Sequence, residues 1–229
     1  MSSTILIVSA TENEVAGLLK LQNNKISDNL FQLNYQSIKI DLLITSVGIN
    51  AMTYHLTKYL SNNKPKFAIL VGISGSYSKN IKLSELVNVE YEYFADLGIV
   101  GEDGFTDLFD MKLAEKNTFP YENKALRNYT LINNKEVESL PKVKGNTVQS
   151  IRTKVLSHIR NNTDVESMEG AAFFYVCLME KLPFIQIRAI SNYVGEQDKS
   201  NWEVEKSIKK LNIKTLDILN ELYTVHDNF

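Results

Sequence analysis

The chain has 229 residues, of which 44% are hydrophobic and 23% charged, and its formal net charge is −2. This composition fits a globular protein and lacks the basic excess of proteins that bind nucleic acid through a charged face. The densest lysine run, residues 206–210, has helical spacing and is typical of a solvated helix face. No apolar run approaches the roughly 20 residues that cross a bilayer, and no signal-peptide pattern opens the chain. We therefore expect a cytoplasmic protein without a membrane or nucleic-acid partner.

Cysteine and histidine indicate no metal or disulfide chemistry. Cys177 lies in an apolar stretch, as buried structural thiols do, and one cysteine cannot form an internal disulfide. His55, His158 and His226 are scattered, without a second ligand at the spacing that zinc sites use. The sequence predicts no bound metal.

In the first half of the chain, apolar strands alternate with helical stretches. Residues 4–9 (TILIVS) and 67–71 (FAILV) are continuous apolar runs, which is typical of strands buried on both faces of a sheet. The other elements predicted here are helices at residues 15–21 and 51–60 and an antiparallel pair of strands at 31–35 and 38–45.

The second half continues the alternation. Residues 86–94 and 184–190 predict two further strands, and residues 142–150 contain another. Residues 102–118 are polar and predict an irregular surface segment. Strands alternating with helices favour a three-layer α/β/α sandwich with a central mixed β-sheet, formed by residues 1–229 as one domain. The helices predicted in this half are at residues 153–160, 168–181 and 206–223.

Three segments with polar or glycine residues directly follow apolar strands, at residues 10–14, 72–76 and 191–194. Ligands of such folds bind beyond the carboxyl ends of the strands, so a shared pocket is one interpretation. Ordinary turns are the other, and composition alone does not decide between them.

Four motifs carry a resemblance to a known family: SATENEV (9–15), VGISG (71–75), VESMEGAA (165–172) and IRAISN (187–192). Together they resemble the nucleoside phosphorylase and nucleosidase superfamily, above all its methylthioadenosine nucleosidases and futalosine hydrolases. MEG followed by RAIS at this spacing is specific, and the resemblance spans nearly the whole chain. It implies a nucleoside phosphorylase-like fold, a small-molecule nucleoside substrate, no cofactor and a homodimer or larger homo-oligomer.

The resemblance implies roles for two adjacent residues of the MEG motif. Glu169 matches a glutamate that accepts hydrogen bonds from ribose hydroxyls, and a carboxylate there also stabilises a cationic sugar. Met168 matches a methionine that packs against the ribose. The alternative for Glu169 is an acid that merely complements a helix dipole.

Glu14 matches the family glutamate that activates water, which is a poor nucleophile without a base. Glu12 is the competing residue, two positions earlier, and alignment on Ala10 favours Glu14. Either acid is alternatively an exposed side chain of a first helical turn.

The glycine-rich segment is implied to bring backbone amides near the sugar and the water, through Gly72, Ser74 and Gly75. Family nucleosidases carry a serine after the first glycine, whereas this chain has Ile73, so the means of holding the water departs from theirs. Arg188 matches an arginine near the site and either contacts substrate or pairs with an acid beneath the pocket.

Arginine placement favours water over phosphate as the acceptor. Phosphorylases of this superfamily bind phosphate through arginines of the N-terminal half, and lysine does not reproduce their planar fork. The arginines of this chain are Arg127, Arg152, Arg160 and Arg188. None of them lies in the N-terminal half, so the sequence favours hydrolysis over phosphorolysis.

Asn192 departs from the aspartate of methylthioadenosine nucleosidases, which reads adenine. Hypoxanthine presents acceptors at both N7 and O6, and an amide donates to that edge while an ionised carboxylate does not. Because an unpaired buried acceptor costs about 1–3 kcal/mol, Asn192 favours a 6-oxopurine. This points to futalosine, the inosine-like nucleoside of a menaquinone pathway, with Asn192 and Glu14 as the catalytic pair.

Further segments resemble futalosine hydrolases, including YFADLG at 93–98 and SNYVGEQDKSNW at 191–202. Asp198 lies where it assists the leaving base or is simply a surface acid, and Trp202 lines the pocket or packs the last helix. Val148 is a candidate for the non-purine tail by family position. Three alternatives stay open: a methylthioadenosine or S-adenosylhomocysteine nucleosidase, a purine nucleoside phosphorylase, and a non-catalytic nucleoside-binding module.

Overall fold

The computed structural model describes residues 4–36, 38–102, 104–151 and 162–226. Within these ranges, eleven strands form one mixed sheet and two more form a separate hairpin. The strands are β1 (Thr4–Ser9), β2 (Asn23–Ser27), β3 (Leu30–Tyr35), β4 (Ile38–Ile44), β5 (Phe67–Ser76), β6 (Leu86–Phe94), β7 (Gly98–Gly101), β8 (Gly104–Asp107), β9 (Tyr121–Glu122), β10 (Ala125–Arg127), β11 (Lys142–Thr147), β12 (Val165–Ser167) and β13 (Phe184–Tyr193). The helices are α1 (Ile49–Asn62), α2 (Lys135–Glu138), α3 (Gly170–Met179) and α4 (Val204–His226).

The sheet has an open part and a closed part. Strands β2, β3 and β4 form an antiparallel edge, and β4, β1 and β5 then run parallel. Beyond them, β5, β12, β11, β6 and β13 pair in turn, and β13 pairs back onto β5. These five strands therefore close into a ring, which brings side chains distant in sequence into contact.

Two hydrophobic cores lie on opposite faces of the sheet. Along β1, Leu6 and Val8 join one core while Ile5 and Ile7 join the other, as the two-residue period of a strand requires. Helices α1 and α3 supply the first core, and α4 supplies the second. Each buried aliphatic side chain stabilises the fold by about 1.5–3 kcal/mol. The predicted α/β/α sandwich with a mixed sheet is confirmed.

The prediction of a helix over residues 15–21 is wrong. Two short 3₁₀ turns occupy this region, Asn13–Val15 and Leu18–Lys20. Gly17 separates them, and a Cβ there would lie 2.7 Å from Oδ1 of Asn212 on α4. Asn212 accepts from the Leu18 N–H and donates to the Glu14 carbonyl, so tertiary contacts fix the local backbone.

The glycine-rich segment 72–76 is not a loop, because β5 continues through it to Ser76. Its glycines lie where neighbouring side chains approach the backbone closely, not in a turn. Likewise, β13 continues through Tyr193, and the expected irregular segment 102–118 includes the β7–β8 hairpin. The helix expected at residues 153–160 lies outside the described residues. None of the described helices is both long and apolar enough to cross a membrane.

Candidate active site

A cavity of about 230 Å³ opens at the ends of β1, β5 and β13 and at the start of α3. All three segments that the sequence places after strands contribute to its wall. The lining comprises Ala10, Thr11, Asn13, Glu14, Val47, Ile73, Ser74, Gly75, Val148, Ile151, Glu166, Ser167, Met168, Glu169, Ser191, Asn192, Trp202, Val204 and Ile208. Two buried carboxylates, Glu14 and Glu169, thus face one small and largely apolar space.

Glu14 is held by four donors. Its Oε2 accepts from the Ser9 hydroxyl at 3.2 Å and from the N–H and hydroxyl of Thr11, each at 3.0 Å. Its Oε1 accepts from the Ile73 N–H at 2.9 Å. Glu12 is exposed and outside the lining, so the geometry favours Glu14 as the residue that can act on a bound molecule.

Glu169 precedes α3 as its N-cap residue, but its carboxylate does not cap the helix. Oε1 accepts from the Gly48 N–H at 3.0 Å, and Oε2 lies 3.5 Å from Nη2 of Arg188. Burial raises the pKa of Glu169, and the Arg188 charge and the Gly48 N–H oppose part of that rise. The carboxylate is therefore a buried acceptor with a positive partner behind it.

Arg188 lies beneath the pocket and is not part of its lining. It is 1% exposed and donates to the Ile73 carbonyl at 3.3 Å and to the Ser167 hydroxyl at 3.2 Å. Gly72 makes room for it, because a Cβ there would lie 2.4 Å from Nη1 of Arg188 and 2.9 Å from Oε1 of Glu14. Of the two interpretations of Arg188, the geometry favours the pairing with an acid, and Gly72 acts by its small size.

Asn192 reaches the pocket from a β-bulge. The register between β13 and β5 shifts between Ile190 and Asn192, and such a bulge re-aims the following side chain. The Ser191 hydroxyl donates to Oδ1 of Asn192 at 2.8 Å, and Nδ2 donates to the Tyr193 carbonyl at 3.2 Å. A Cβ at Gly75 would lie 3.2 Å from Nδ2, so this glycine also makes space.

Met168, Ser74, Val148 and Trp202 all line the pocket. Asp198 is different: it is exposed, outside the lining, and its side chain caps a short 3₁₀ turn by accepting from the Ser200 N–H at 2.9 Å. The surface-acid interpretation of Asp198 fits this geometry.

Sequence reasoning missed a buried polar cluster behind the pocket. Glu92 on β6 is fully buried and accepts from Nε2 of Gln186 at 2.7 Å and from the Thr147 hydroxyl at 2.9 Å. Burial raises its pKa from 4.5 to about 7, although Gln186, Arg188 and Thr147 each lower it. One signal was available in the sequence, since Glu92 is a charged residue within the strand predicted at residues 86–94. Only the closed ring of strands shows that the Glu92 side chain points inward.

Within the described ranges, no three His, Cys, Asp or Glu side chains come together to hold a metal ion. The polar side chains in the pocket wall carry carboxylates, hydroxyls, two amides and one indole. This set suits recognition of a polar organic molecule through hydrogen bonds.

Residues 4–223 match the family described as the phosphorylase superfamily. The chain belongs to this superfamily. It is 30% identical to the futalosine hydrolase of Thermus thermophilus over 74% of this chain and 76% of that protein. It is 24% identical to the 5'-methylthioadenosine/S-adenosylhomocysteine nucleosidase of Maridesulfovibrio salexigens, over 89% and 91% of the two chains. Within the superfamily, the chain is thus an enzyme of the N-glycosyl hydrolase, or nucleosidase, class.

Solved structures agree on the fold. The futalosine hydrolase of Helicobacter pylori superposes with a TM-score of 0.80 at 17% identity, covering 96% of this chain and 99% of that one. A methylthioadenosine/S-adenosylhomocysteine nucleosidase from Colwellia psychrerythraea, in complex with adenine, gives 0.79 at 20% identity, covering 97% and 96%. Both confirm the nucleoside phosphorylase-like architecture.

Proposed function

We propose that this enzyme hydrolyses the N-glycosidic bond of futalosine in menaquinone biosynthesis and releases hypoxanthine and dehypoxanthine futalosine. The observation that carries the proposal is the Asn192 amide in the pocket wall. One of its two N–H donors is used by the Tyr193 carbonyl, and the second serves N7 or O6 of the base. The similarity to the Thermus thermophilus futalosine hydrolase supports the same substrate.

The pocket supports hydrolysis in the following way. The glycosidic bond lengthens first, its electron pair stays on the purine, and the sugar becomes cationic. Glu169 accepts hydrogen bonds from the ribose hydroxyls and stabilises that charge, with Met168 packed against the sugar. Glu14 removes a proton from water as the oxygen bonds to the anomeric carbon, and that proton returns to hypoxanthine through solvent.

The remaining lining residues shape the pocket. Gly75 leaves room for Asn192, and Ser74 contributes to the pocket wall beside it. Val148 and Ile151 offer apolar surface to the non-purine part of the substrate. Ile73 replaces the serine of related nucleosidases, and its N–H holds the Glu14 carboxylate that orients the water.

Water is the acceptor in this proposal because both arginines that the structure describes are paired with carboxylates. Arg188 is paired with Glu169, and Arg127 pairs with Glu122 at 3.2 Å outside the pocket lining. Arg152 and Arg160 lie outside the described residues.

Base release decides between the alternatives. The purified enzyme in phosphate-free buffer is given futalosine, methylthioadenosine and inosine, and the bases are separated by chromatography. We expect hypoxanthine from futalosine at the highest kcat/KM. Adenine from methylthioadenosine without hypoxanthine from futalosine would indicate the neighbouring nucleosidase activity. Strict dependence on added phosphate would indicate a phosphorylase, and calorimetric binding without release a non-catalytic module.

A further inference from the structure

Helix α3 begins beside the pocket, and its first two N–H groups donate hydrogen bonds to side chains of strands β12 and β11. The Gly170 N–H donates to the Ser167 hydroxyl at 3.3 Å, and the Ala171 N–H donates to Oγ1 of Thr147 at 2.6 Å. An N-cap side chain normally accepts from this same part of the helix. Here the N-cap residue is Glu169, which makes no such bond.

Glu92 sets the direction in which Thr147 points. The Thr147 hydroxyl has one proton and gives it to Oε2 of Glu92, so its lone pairs face the Ala171 N–H. The second oxygen of Glu92 is fixed by Gln186. Two glycines leave space for this carboxylate, because a Cβ at Gly170 would lie 1.9 Å, and one at Gly145 2.5 Å, from its Oε1.

We propose that Thr147, oriented by Glu92, caps helix α3 in place of Glu169 and so leaves the Glu169 carboxylate free for the substrate. Thr147 and Glu92 are positioning residues: they act through Glu169 and are not in the pocket lining. The inference deepens the function proposed above, because it takes Glu169 to be the group that binds the ribose.

The test begins with Thr147→Val, which keeps the shape of the side chain and removes the acceptor. The Ala171 N–H then lacks its partner, and the Glu169 carboxylate turns back to cap the helix. We expect kcat/KM for the nucleoside to fall at least tenfold and Thr147→Ser to restore most of it. The matched control is Thr215→Val on α4, which removes another buried hydroxyl, bonded to the Leu211 carbonyl at 2.8 Å, and should leave kcat/KM unchanged.

A double-mutant cycle separates positioning from loss of structure. In a Glu169→Gln background, Thr147→Val should reduce kcat/KM by much less than it does alone. A full additive loss in that background, or an unchanged kcat/KM for Thr147→Val alone, would overturn the proposal.

Glu92 offers a second and independent variant. Glu92→Met removes the acceptor that orients Thr147 and should reduce kcat/KM as Thr147→Val does. Glu92→Gln should rescue it, because Gln186 can rotate its amide and accept through Oε1, an atom without a hydrogen-bond partner among the described residues. Equal losses in Glu92→Met and Glu92→Gln would contradict a role through hydrogen-bond geometry.

A crystal structure of Thr147→Val gives a readout that does not depend on the substrate. The proposal requires the Glu169 carboxylate to lie within hydrogen-bond distance of the Ala171 N–H. A carboxylate that stays on the Gly48 N–H and Arg188 overturns it. If the wild-type enzyme releases no base from any nucleoside, the proposed function fails, and this structure still decides the capping role.

Discussion

Nη2 of Arg188 lies 3.5 Å from Oε2 of Glu169, and the two side chains are 1% and 6% exposed. A buried charge that loses its partner is left without compensation, at a cost of about 3–5 kcal/mol. The Arg188 charge thus lowers the pKa of the carboxylate that faces the pocket and opposes the rise that burial causes.

Replacing Arg188 by Met should therefore shift the pH dependence of the reaction. Arg188 lowers the pKa of Glu169, so without it the pKa rises further and the ionised fraction at neutral pH falls. We expect kcat/KM at pH 7 to drop at least tenfold and the acid limb of the pH–rate profile to move to higher pH. Arg127→Met, which breaks an exposed pair with Glu122, is the control and should leave the profile in place. An unshifted acid limb in Arg188→Met would contradict the coupling.

The second prediction concerns Glu14. Glu14→Gln removes the base but keeps the size of the side chain, so turnover should fall by about 10²–10⁴-fold, the usual contribution of a general base. Substrate affinity measured by calorimetry should change little. Glu12→Gln is the matched control, since Glu12 is exposed and outside the pocket lining. Equal losses in the two variants would show that charge in this segment, rather than Glu14 itself, matters.

The sequence predicts the sandwich and most of the pocket because both depend on local patterns. Apolar runs such as residues 67–71 identify buried strands, and the MEG and RAIS motifs locate Glu169 and Arg188. The prediction of a helix at residues 15–21 is wrong because Asn212, nearly 200 positions away, determines the backbone there. Segment 72–76 belongs to a strand and not to a loop, because its glycines make room for side chains instead of forming a turn.

Contacts that form only because five strands of the sheet close into a ring could not be predicted from the sequence. Glu92, Thr147 and Gln186 come from three different strands, and no spacing along the chain relates them. The same holds for the bulge at Ser191, which adds one residue to β13 without leaving a sequence signal. The identity of Asn192 was readable from the sequence, whereas its orientation was not.

The third prediction is a change in base preference. Asn192→Asp replaces an amide donor by an acceptor, which leaves the 6-oxo group of hypoxanthine facing a carboxylate. A lost hydrogen bond to a buried group costs about 1–3 kcal/mol, so the preference for hypoxanthine over adenine nucleosides should fall roughly 10- to 100-fold. The measurement is the ratio of kcat/KM for futalosine and methylthioadenosine. Asn201→Asp adds the same charge at an exposed position and serves as the control. An unchanged ratio in Asn192→Asp would show that another group reads the base.

The last prediction is that Glu92 makes folding stability depend on pH. Its pKa is raised from 4.5 to about 7 because burial disfavours the charged form, so the folded state binds a proton that the unfolded state has released. The free energy of unfolding must then fall as pH rises from about 4.5 to about 7 and level off above, by roughly 3 kcal/mol for a shift of this size. The charged groups facing Glu92 are Arg188 and Glu169, while Gln186 and Thr147 are neutral. Glu92→Gln cannot ionise, so urea unfolding at pH 5 and pH 8 should show a smaller loss of stability than in the wild type. Subtracting the two curves cancels the other titrating groups, and parallel curves would show that Glu92 does not carry this proton.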